Sequence, residues 1–142
     1  EEVLATHPGV ALAAAVGQPD AYAGELPMAF VAARPGMAPT PEELVAYCRE
    51  RIPERAAVPV RIVVLPALPA TAVGKIFKPE LRWRAIEQVL TEVLAKNSIA
   101  ATVTAGADER HGTLARVRLV DAARVDEARQ VLGAFAVASE VA

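Results

Sequence analysis

The stretch that decides the fold is residues 66–82, PALPATAVGKIFKPELR. It follows Ile62–Leu65, a β-branched run that predicts a short strand bracketed by prolines. At its centre, Gly74 precedes Lys75, and glycine takes a positive φ without penalty, so the pair predicts a tight turn that presents one lysine. A proline at position 79, followed by Glu80, then predicts the start of a helix. Strand, turn and helix therefore meet around Lys75.

Upstream of this stretch the sequence predicts two more strands and a helix. The apolar runs at residues 10–17 and 28–33 are typical of buried strands, and we expect a polar loop over residues 20–27 between them. Thr40-Pro41-Glu42-Glu43 has the residues of a capping box with proline at the first helical position, which predicts a helix over residues 41–52. Cys48 lies on the apolar side of this helix, so we expect it in the core.

Downstream, an apolar stripe continues the helix from residue 79 to about residue 97. Residues 99–104, 114–120 and 134–141 then predict strands, with a short helix over residues 122–132 before the last of them. The fold class is therefore predicted to be α+β. Residues 1–97 would form a small three-stranded sheet with flanking helices, and residues 98–142 an appended β-β-α-β subdomain that packs on the long helix or mediates self-association.

Composition excludes several classes of function. The 142 residues include 15 Lys and Arg against 17 Asp and Glu, so the net charge of −2 offers no basis for binding nucleic acid or an anionic membrane. One cysteine and no Cys/His cluster predict neither a disulfide nor a metal site, and a reducing, cytoplasmic location. Neither a membrane span nor a signal peptide is predicted. Because the first residue is not methionine, we expect a trimmed protein or a piece of a longer one.

Lys75 has two interpretations when only its neighbours are considered. A lysine on a tightly curved backbone could neutralise a carboxylate or phosphate oxygen as a point charge. A lysine after glycine in a turn is more often simply solvated. The local sequence leaves both open.

A wider pattern surrounds Lys75. Six segments occur in order along the chain at compatible spacing: His7-Pro8-Gly9-Val10, Val16-Gly17-Gln18-Pro19-Asp20, Gly24-Glu25-Leu26-Pro27-Met28-Ala29-Phe30-Val31, Glu42-Glu43-Leu44, Val58-Pro59, and Leu68-Pro69-Ala70-Thr71-Ala72-Val73-Gly74-Lys75-Ile76. Together they resemble the C-terminal domain of the adenylate-forming enzymes, the superfamily of acyl-CoA synthetases, peptide-synthetase adenylation domains and luciferases. The resemblance covers residues 1 to about 84.

The resemblance implies a role for Lys75. In this family a large N-terminal domain binds ATP and a carboxylic acid, and a small mobile C-terminal domain supplies one lysine for adenylation. Lys75 occupies that position with Gly74 beside it, and would stabilise the charge that develops as an acyl-adenylate forms and pyrophosphate leaves. The small domain then rotates, which would bring the Gly24-Glu25 loop toward the thiol substrate.

The resemblance also implies ligands. ATP, Mg²⁺ and CoA would serve the full-length enzyme, with none bound tightly to this segment, which we expect to be inactive alone. A Tyr-Lys pair that is frequent in the family is replaced by residues 55–57, Arg-Ala-Ala, and Ala70 stands where Lys or Arg is frequent, so CoA contacts are not carried over there. Arg61 is either a ligand of a CoA phosphate or a solvated arginine. Glu25 either contacts the hinge or caps its loop.

Residues 74–82 resemble fatty and other acyl-CoA synthetases more than peptide synthetases. We therefore expect an AMP-forming acyl-CoA synthetase, an acid–thiol ligase acting in fatty acid metabolism. Its partners would be the N-terminal adenylation domain, the carboxylic acid, CoA, and a lysine acyltransferase and deacylase acting on Lys75. The alternatives are a non-catalytic binding or regulatory module of the same fold and the small domain of another adenylating enzyme.

Overall fold

A computed structural model describes all 142 residues, Glu1 to Ala142. The helices are α1 (Glu2–Ala5), α2 (Pro41–Arg51), α3 (Lys78–Lys96) and α4 (Val125–Leu132), and the strands are β1 (Val10–Asp20), β2 (Gly24–Ala33), β3 (Ile62–Leu65), β4 (Ala101–Asp108), β5 (Gly112–Leu119) and β6 (Ala138–Val141). The strands form two three-stranded sheets, ordered β1-β2-β3 and β4-β5-β6. The predicted α+β class, with a small sheet and an appended β-β-α-β unit, is confirmed. None of the helices combines the length and apolarity that crossing a bilayer requires.

The chain forms two compact units. The first unit comprises Glu1–Gly17 and Leu26–Leu81, and the second comprises Gln18–Glu25 and Arg82–Ala142. The division along the chain falls inside α3, because the first residues of this helix belong to the first unit and the remainder to the second. The proposed division into a domain of residues 1–97 and an extension of residues 98–142 stays a prediction.

The core of the first unit lies between its sheet and helices α1 and α2. Strand β3 occupies the residues predicted for it and pairs parallel to β2, from Ala29 opposite Ile62 to Ala32 opposite Leu65. The buried side chains of this core are Leu4, Val10, Ala29, Val31, Leu44, Cys48 and Ile62. The predicted core position of Cys48 is confirmed, and burial raises the pKa of its thiol. Cys48 is therefore a packing residue of this core.

The connection between β1 and β2 differs from the predicted polar loop over residues 20–27. Both strands continue through polar residues and leave only a turn at residues 21–23. The Asp20 carboxylate accepts hydrogen bonds from the backbone N–H groups of Tyr22 (3.0 Å) and Ala23 (2.8 Å), and Gly24 has a φ of +82°. The prediction was wrong because the turn depends on hydrogen bonds from backbone N–H groups to a side-chain carboxylate, and hydrophobic periodicity does not detect such bonds.

Helix α2 begins with the predicted capping box. The Glu43 N–H donates to the Thr40 hydroxyl at 3.1 Å, and the Thr40 N–H donates to the Glu43 carboxylate at 3.4 Å. Thr40→Ala is expected to lower the free energy of unfolding by about 1 kcal/mol, because it leaves an N-terminal N–H without its side-chain partner. Urea denaturation followed by circular dichroism measures this loss. Thr40→Ser keeps the hydroxyl and should unfold as the unsubstituted protein does; equal losses in both variants would contradict the capping role.

The second unit contains the predicted β-β-α-β order. Strand β5 pairs antiparallel to β4 and parallel to β6. The core of this unit consists of Leu90, Leu94, Ile99, Val103, Ala115, Val117, Leu119, Ala128 and Leu132. It includes residues of α3, so the expected packing of the extension on the long helix is confirmed. Strands β4 and β6 begin at Ala101 and Ala138, a few residues later than predicted.

Two charged side chains hold backbone groups of the second unit. The Ala105 N–H of β4 donates to the Glu87 carboxylate of α3 at 2.9 Å. The Arg124 guanidinium donates to the carbonyls of Asn97 (3.2 Å) and Ser98 (2.9 Å), just beyond the end of α3. Helix α3 is thereby fixed to β4 and to the turn before α4.

Candidate functional site

The segment between β3 and α3 folds as a closed loop, residues 69–77, which we call the lysine loop. Its two ends meet where the Phe77 N–H donates to the Pro69 carbonyl at 2.8 Å. One step inward, Ala70 and Ile76 form an isolated antiparallel bridge. The sequence folds this way because prolines end β3 and a proline at position 79 starts α3 shortly afterwards.

Thr71 forms hydrogen bonds across the inside of the lysine loop. Its N–H donates to the Lys75 carbonyl at 2.6 Å, and its hydroxyl accepts from the Lys75 N–H at 3.2 Å. The Gly74 N–H donates to the Thr71 carbonyl at 2.9 Å, and Gly74 has a φ of +85°, as the tight-turn prediction requires. The backbone of Lys75 is therefore held by two hydrogen bonds to Thr71, and a third joins Thr71 to Gly74.

The side chain of Lys75 projects into solvent from this hydrogen-bonded backbone. It is exposed, its neighbour Val73 is 80% exposed, and its ammonium group makes no ion pair or hydrogen bond within the chain. The arrangement presents a solvent-exposed ammonium group on a backbone that is held by hydrogen bonds. Such a group can bind an anionic ligand from outside the chain, and it is also what a solvated lysine looks like.

Gly74→Ala tests the backbone of the lysine loop. An alanine Cβ at Gly74 would meet no atom within 4 Å, so its cost comes from the positive φ, about 1–2 kcal/mol. We expect faster hydrogen exchange of the amides in residues 69–77. Gly106→Ala is the matched control, because that position is equally open and does not have a positive φ. Unchanged exchange in Gly74→Ala would show that the turn does not depend on glycine.

The other predicted site residues lie elsewhere. Gly24, with its positive φ, and the exposed Glu25 begin β2 and belong to the second unit. Arg61 is half-buried immediately before β3, whereas Lys75 follows the far end of that strand. The structure thus unites Gly74 and Lys75 in one loop and places Arg61 at the opposite end of β3.

Arg61 lines a groove of about 380 Å³ between α2 and the start of β3. The groove is lined by Pro41, Glu42, Val45, Ala46, Arg49, Val60, Arg61 and Ile62. Arg49, which the sequence analysis missed, brings a second guanidinium to it. Arg49 lies four residues after Val45 and so shares its helix face, but only the position of β3 gives that face a groove. The two guanidinium groups outweigh the one carboxylate in the lining, that of Glu42, and this balance favours an anionic ligand.

An ion pair next to the lysine loop was also missed. Lys78, the first residue of α3, places Nζ 2.6 Å from Glu1 Oε2, and the same oxygen accepts the Ala15 N–H at 2.8 Å. The hydrogen bond from Lys78, followed by that from Ala15, lowers the pKa of the Glu1 carboxyl. No local pattern connects residues so far apart in sequence. The structure contains no group of three or more His, Cys, Asp or Glu side chains arranged to hold a metal ion.

Comparison with known proteins gives the family. The sequence profile of the AMP-binding enzyme C-terminal domain matches residues 1–75. Marinolic acid–CoA ligase of Pseudoalteromonas sp. is 46% identical over 66% of this chain, and a 2-methylpropanoate–CoA ligase of Humulus lupulus is 43% identical over 58%. The chain spans 14% and 15% of the length of these two relatives.

Solved structures agree with this assignment. An acyl-CoA synthetase of Brucella canis matches 63% of this chain at 37% identity with a TM-score of 0.56, and the match spans 17% of that protein. The amide bond synthetase McbA of Marinactinospora thermotolerans matches 58% of this chain at 39% identity with a TM-score of 0.52, again over 17% of its length. With the family profile covering more than half of its residues and CoA ligases among its relatives, the chain belongs to the AMP-binding enzyme C-terminal domain family.

Proposed function

We propose that this chain is the C-terminal domain of an AMP-forming acyl-CoA synthetase and supplies Lys75 for the adenylation step. The observation that carries the proposal is the lysine loop, which holds the backbone of Lys75 by hydrogen bonds to Thr71 and leaves its ammonium unpaired. Electrostatic stabilisation of a transition state needs a charged group whose backbone is already held in place, because little reorganisation then remains to be done during the reaction. The CoA ligases among the relatives support the reaction class.

In adenylation, the carboxylate of the acid attacks the α-phosphorus of ATP, an acyl-adenylate forms, and pyrophosphate leaves. Negative charge concentrates on the phosphate oxygens and on the attacking carboxylate. The ammonium of Lys75 would contact these oxygens and neutralise part of that charge without donating a proton. Lys75 acts in this proposal as an electrostatic residue, not as an acid or base.

In thioester formation, we propose that the domain rotates, removes Lys75 from the site and presents the Gly24-Glu25 turn to the thiol substrate. The groove with Arg49 and Arg61 fits an anionic group, since two guanidinium groups line it, and these residues would hold a phosphate of CoA. CoA itself supplies the thiol. Glu25 is exposed at the start of β2, where it is free to meet the hinge or another domain.

The rest of the machinery would reside in an N-terminal adenylation domain. Mg²⁺ is usually held by one or two carboxylates together with water and the phosphates of the substrate, so its place is where ATP binds. We therefore place the metal, ATP and the selection of the acid on that partner domain and expect residues 1–142 alone to be inactive. Acetylation of Lys75 by a lysine acyltransferase would remove its charge and stop adenylation, and a deacylase would restore it.

Pyrophosphate exchange tests the proposal. The full-length protein should exchange labelled pyrophosphate into ATP with at least one acid from a panel of fatty and other carboxylic acids, and should form a CoA thioester when CoA is added. Absence of exchange with every acid would favour a non-catalytic module of the same fold. Exchange followed by amide formation with an added amine, but no thioester with CoA, would favour an amide-forming enzyme, a candidate raised by the likeness to McbA.

A further inference from the structure

We propose that Glu1 is a positioning residue for Lys75, which acts by holding Lys78 at the end of the lysine loop. This inference rests on the proposed function of Lys75 and adds a residue that acts on the same step without touching the substrate. The ion pair between Glu1 and Lys78 would fix the place from which Lys75 reaches its ligand.

Lys75 is positioned through its backbone. Its ammonium has no partner in the chain, so no side-chain contact orients it. The hydrogen bonds that hold its backbone all come from Thr71, which lies in the same loop. The contacts that hold the backbone of Lys75 therefore lie inside the lysine loop, and the loop is attached to the rest of the chain at its two ends.

The two ends of the lysine loop lie side by side. Pro69 and Phe77 are joined by a hydrogen bond, so one anchor can fix both. Before the loop, Leu68 is 9% exposed; after it, α3 begins at Lys78. Lys78 is thus the residue through which the loop is attached to the helix.

Lys78 is in turn held by Glu1. Glu1 Oε2 lies 2.6 Å from Lys78 Nζ and accepts the Ala15 N–H at 2.8 Å. Ala15 lies in β1 between Ala14 and Val16, which are both buried, so this strand is fixed in the core. Glu1 thereby joins the first residue of α3 to the central sheet of the first unit. A carboxylate bridging an ammonium and a backbone N–H is held more firmly than an exposed ion pair alone.

Loss of the Glu1–Lys78 pair should affect one half-reaction and not the other. Only adenylation uses Lys75 in the proposed function, and small misplacement of a charge-stabilising group lowers the rate of the step it serves. Loss of the Glu1–Lys78 pair should therefore lower kcat for pyrophosphate exchange. The KM values for ATP and the acid should change little, and thioester formation from supplied acyl-adenylate should persist.

The experiment uses the full-length protein with Glu1→Gln, which removes the charge and keeps the shape, and Lys78→Met. Each should lower kcat for pyrophosphate exchange about tenfold, and the double variant should be no worse than either. Lys78→Arg keeps the cation and should retain most of the rate. Glu2→Gln is the matched control, because Glu2 is exposed and has no partner. Full exchange activity in Glu1→Gln, or an equal loss in both half-reactions, would overturn the proposal.

A second measurement does not depend on activity. Hydrogen exchange of the amides in residues 69–77 should be about tenfold faster in Glu1→Gln than in Glu2→Gln, since the loop loses an anchor. Unchanged hydrogen exchange of these amides would overturn the inference, whatever the catalytic activity of the variant. If the unsubstituted protein shows no pyrophosphate exchange, the proposed function fails and the positioning role fails with it. If Lys75→Ala removes activity but Glu1→Gln leaves it intact, only the positioning role fails.

Discussion

Lys75→Ala in the full-length protein is expected to lower the rate of pyrophosphate exchange about 10²–10³-fold. The reason is the loss of a preorganised positive charge at the oxygens where negative charge develops. Thioester formation from supplied acyl-adenylate should remain near the unsubstituted rate, because this step does not use Lys75 in the proposed function. The two half-reactions are measured separately, by isotope exchange and by the release of AMP on addition of CoA.

Lys96→Ala is the control for Lys75→Ala. Lys96 is also an exposed lysine, and it lies at the far end of α3. Its replacement should leave both half-reactions unchanged. Lys75→Gln, which imitates acetylation, should behave as Lys75→Ala does. Enzymatic deacetylation of an acetylated full-length protein should restore pyrophosphate exchange. Parallel loss of both half-reactions in Lys75→Ala would refute the assigned role.

Leu44→Ala is expected to lower the free energy of unfolding of the first unit by about 2–5 kcal/mol. Leu44 is fully buried on α2, in the core that also contains Leu4 and Cys48. Truncation removes buried methyl groups and leaves a cavity that close-packed neighbours fill only in part. Urea denaturation followed by circular dichroism gives the free energy from the shift of the midpoint.

Leu12→Ala is the matched control for Leu44→Ala. Leu12 lies in β1 and is 52% exposed, so the same truncation should cost within about 0.5 kcal/mol. Similar losses at both positions would mean that the burial of Leu44 does not determine its contribution. Leu44→Ala should lose activity only at temperatures where the protein unfolds. This would separate its effect on stability from the effect of Lys75→Ala on the reaction.

Local chemistry explains why much of the fold could be predicted from the sequence. The capping box at Thr40, the β-branched run of β3 and the glycine before Lys75 each specify their backbone through residues within four positions of one another. Interactions of this range leave a pattern in the sequence that a single chain reveals. The assignment of Lys75 to a function needed more, because a solvated lysine and an adenylating lysine have the same neighbours. The collinear family pattern supplied that step.

What the sequence did not reveal depends on contacts between distant residues. The Glu1–Lys78 pair and the groove with Arg49 and Arg61 exist only because strands and helices far apart in the chain pack together. The turn at Asp20 is local, but it depends on a carboxylate bonding to backbone N–H groups, which hydropathy does not detect. Long-range packing and hydrogen bonds from backbone to side chains therefore account for the missed features, whereas short-range capping, turn and apolar patterns account for the correct ones.

The contact between Glu87 and Ala105 has a consequence for the behaviour of the protein at high concentration. Strand β4 is an edge of its sheet, and edge strands offer free N–H groups to strands of other molecules. The Glu87 carboxylate already accepts one of these N–H groups and places a negative charge along the edge. An incoming strand would have to displace that carboxylate and tolerate its charge. A side chain of the long helix thus opposes the pairing of another strand with the β4 edge of the second sheet.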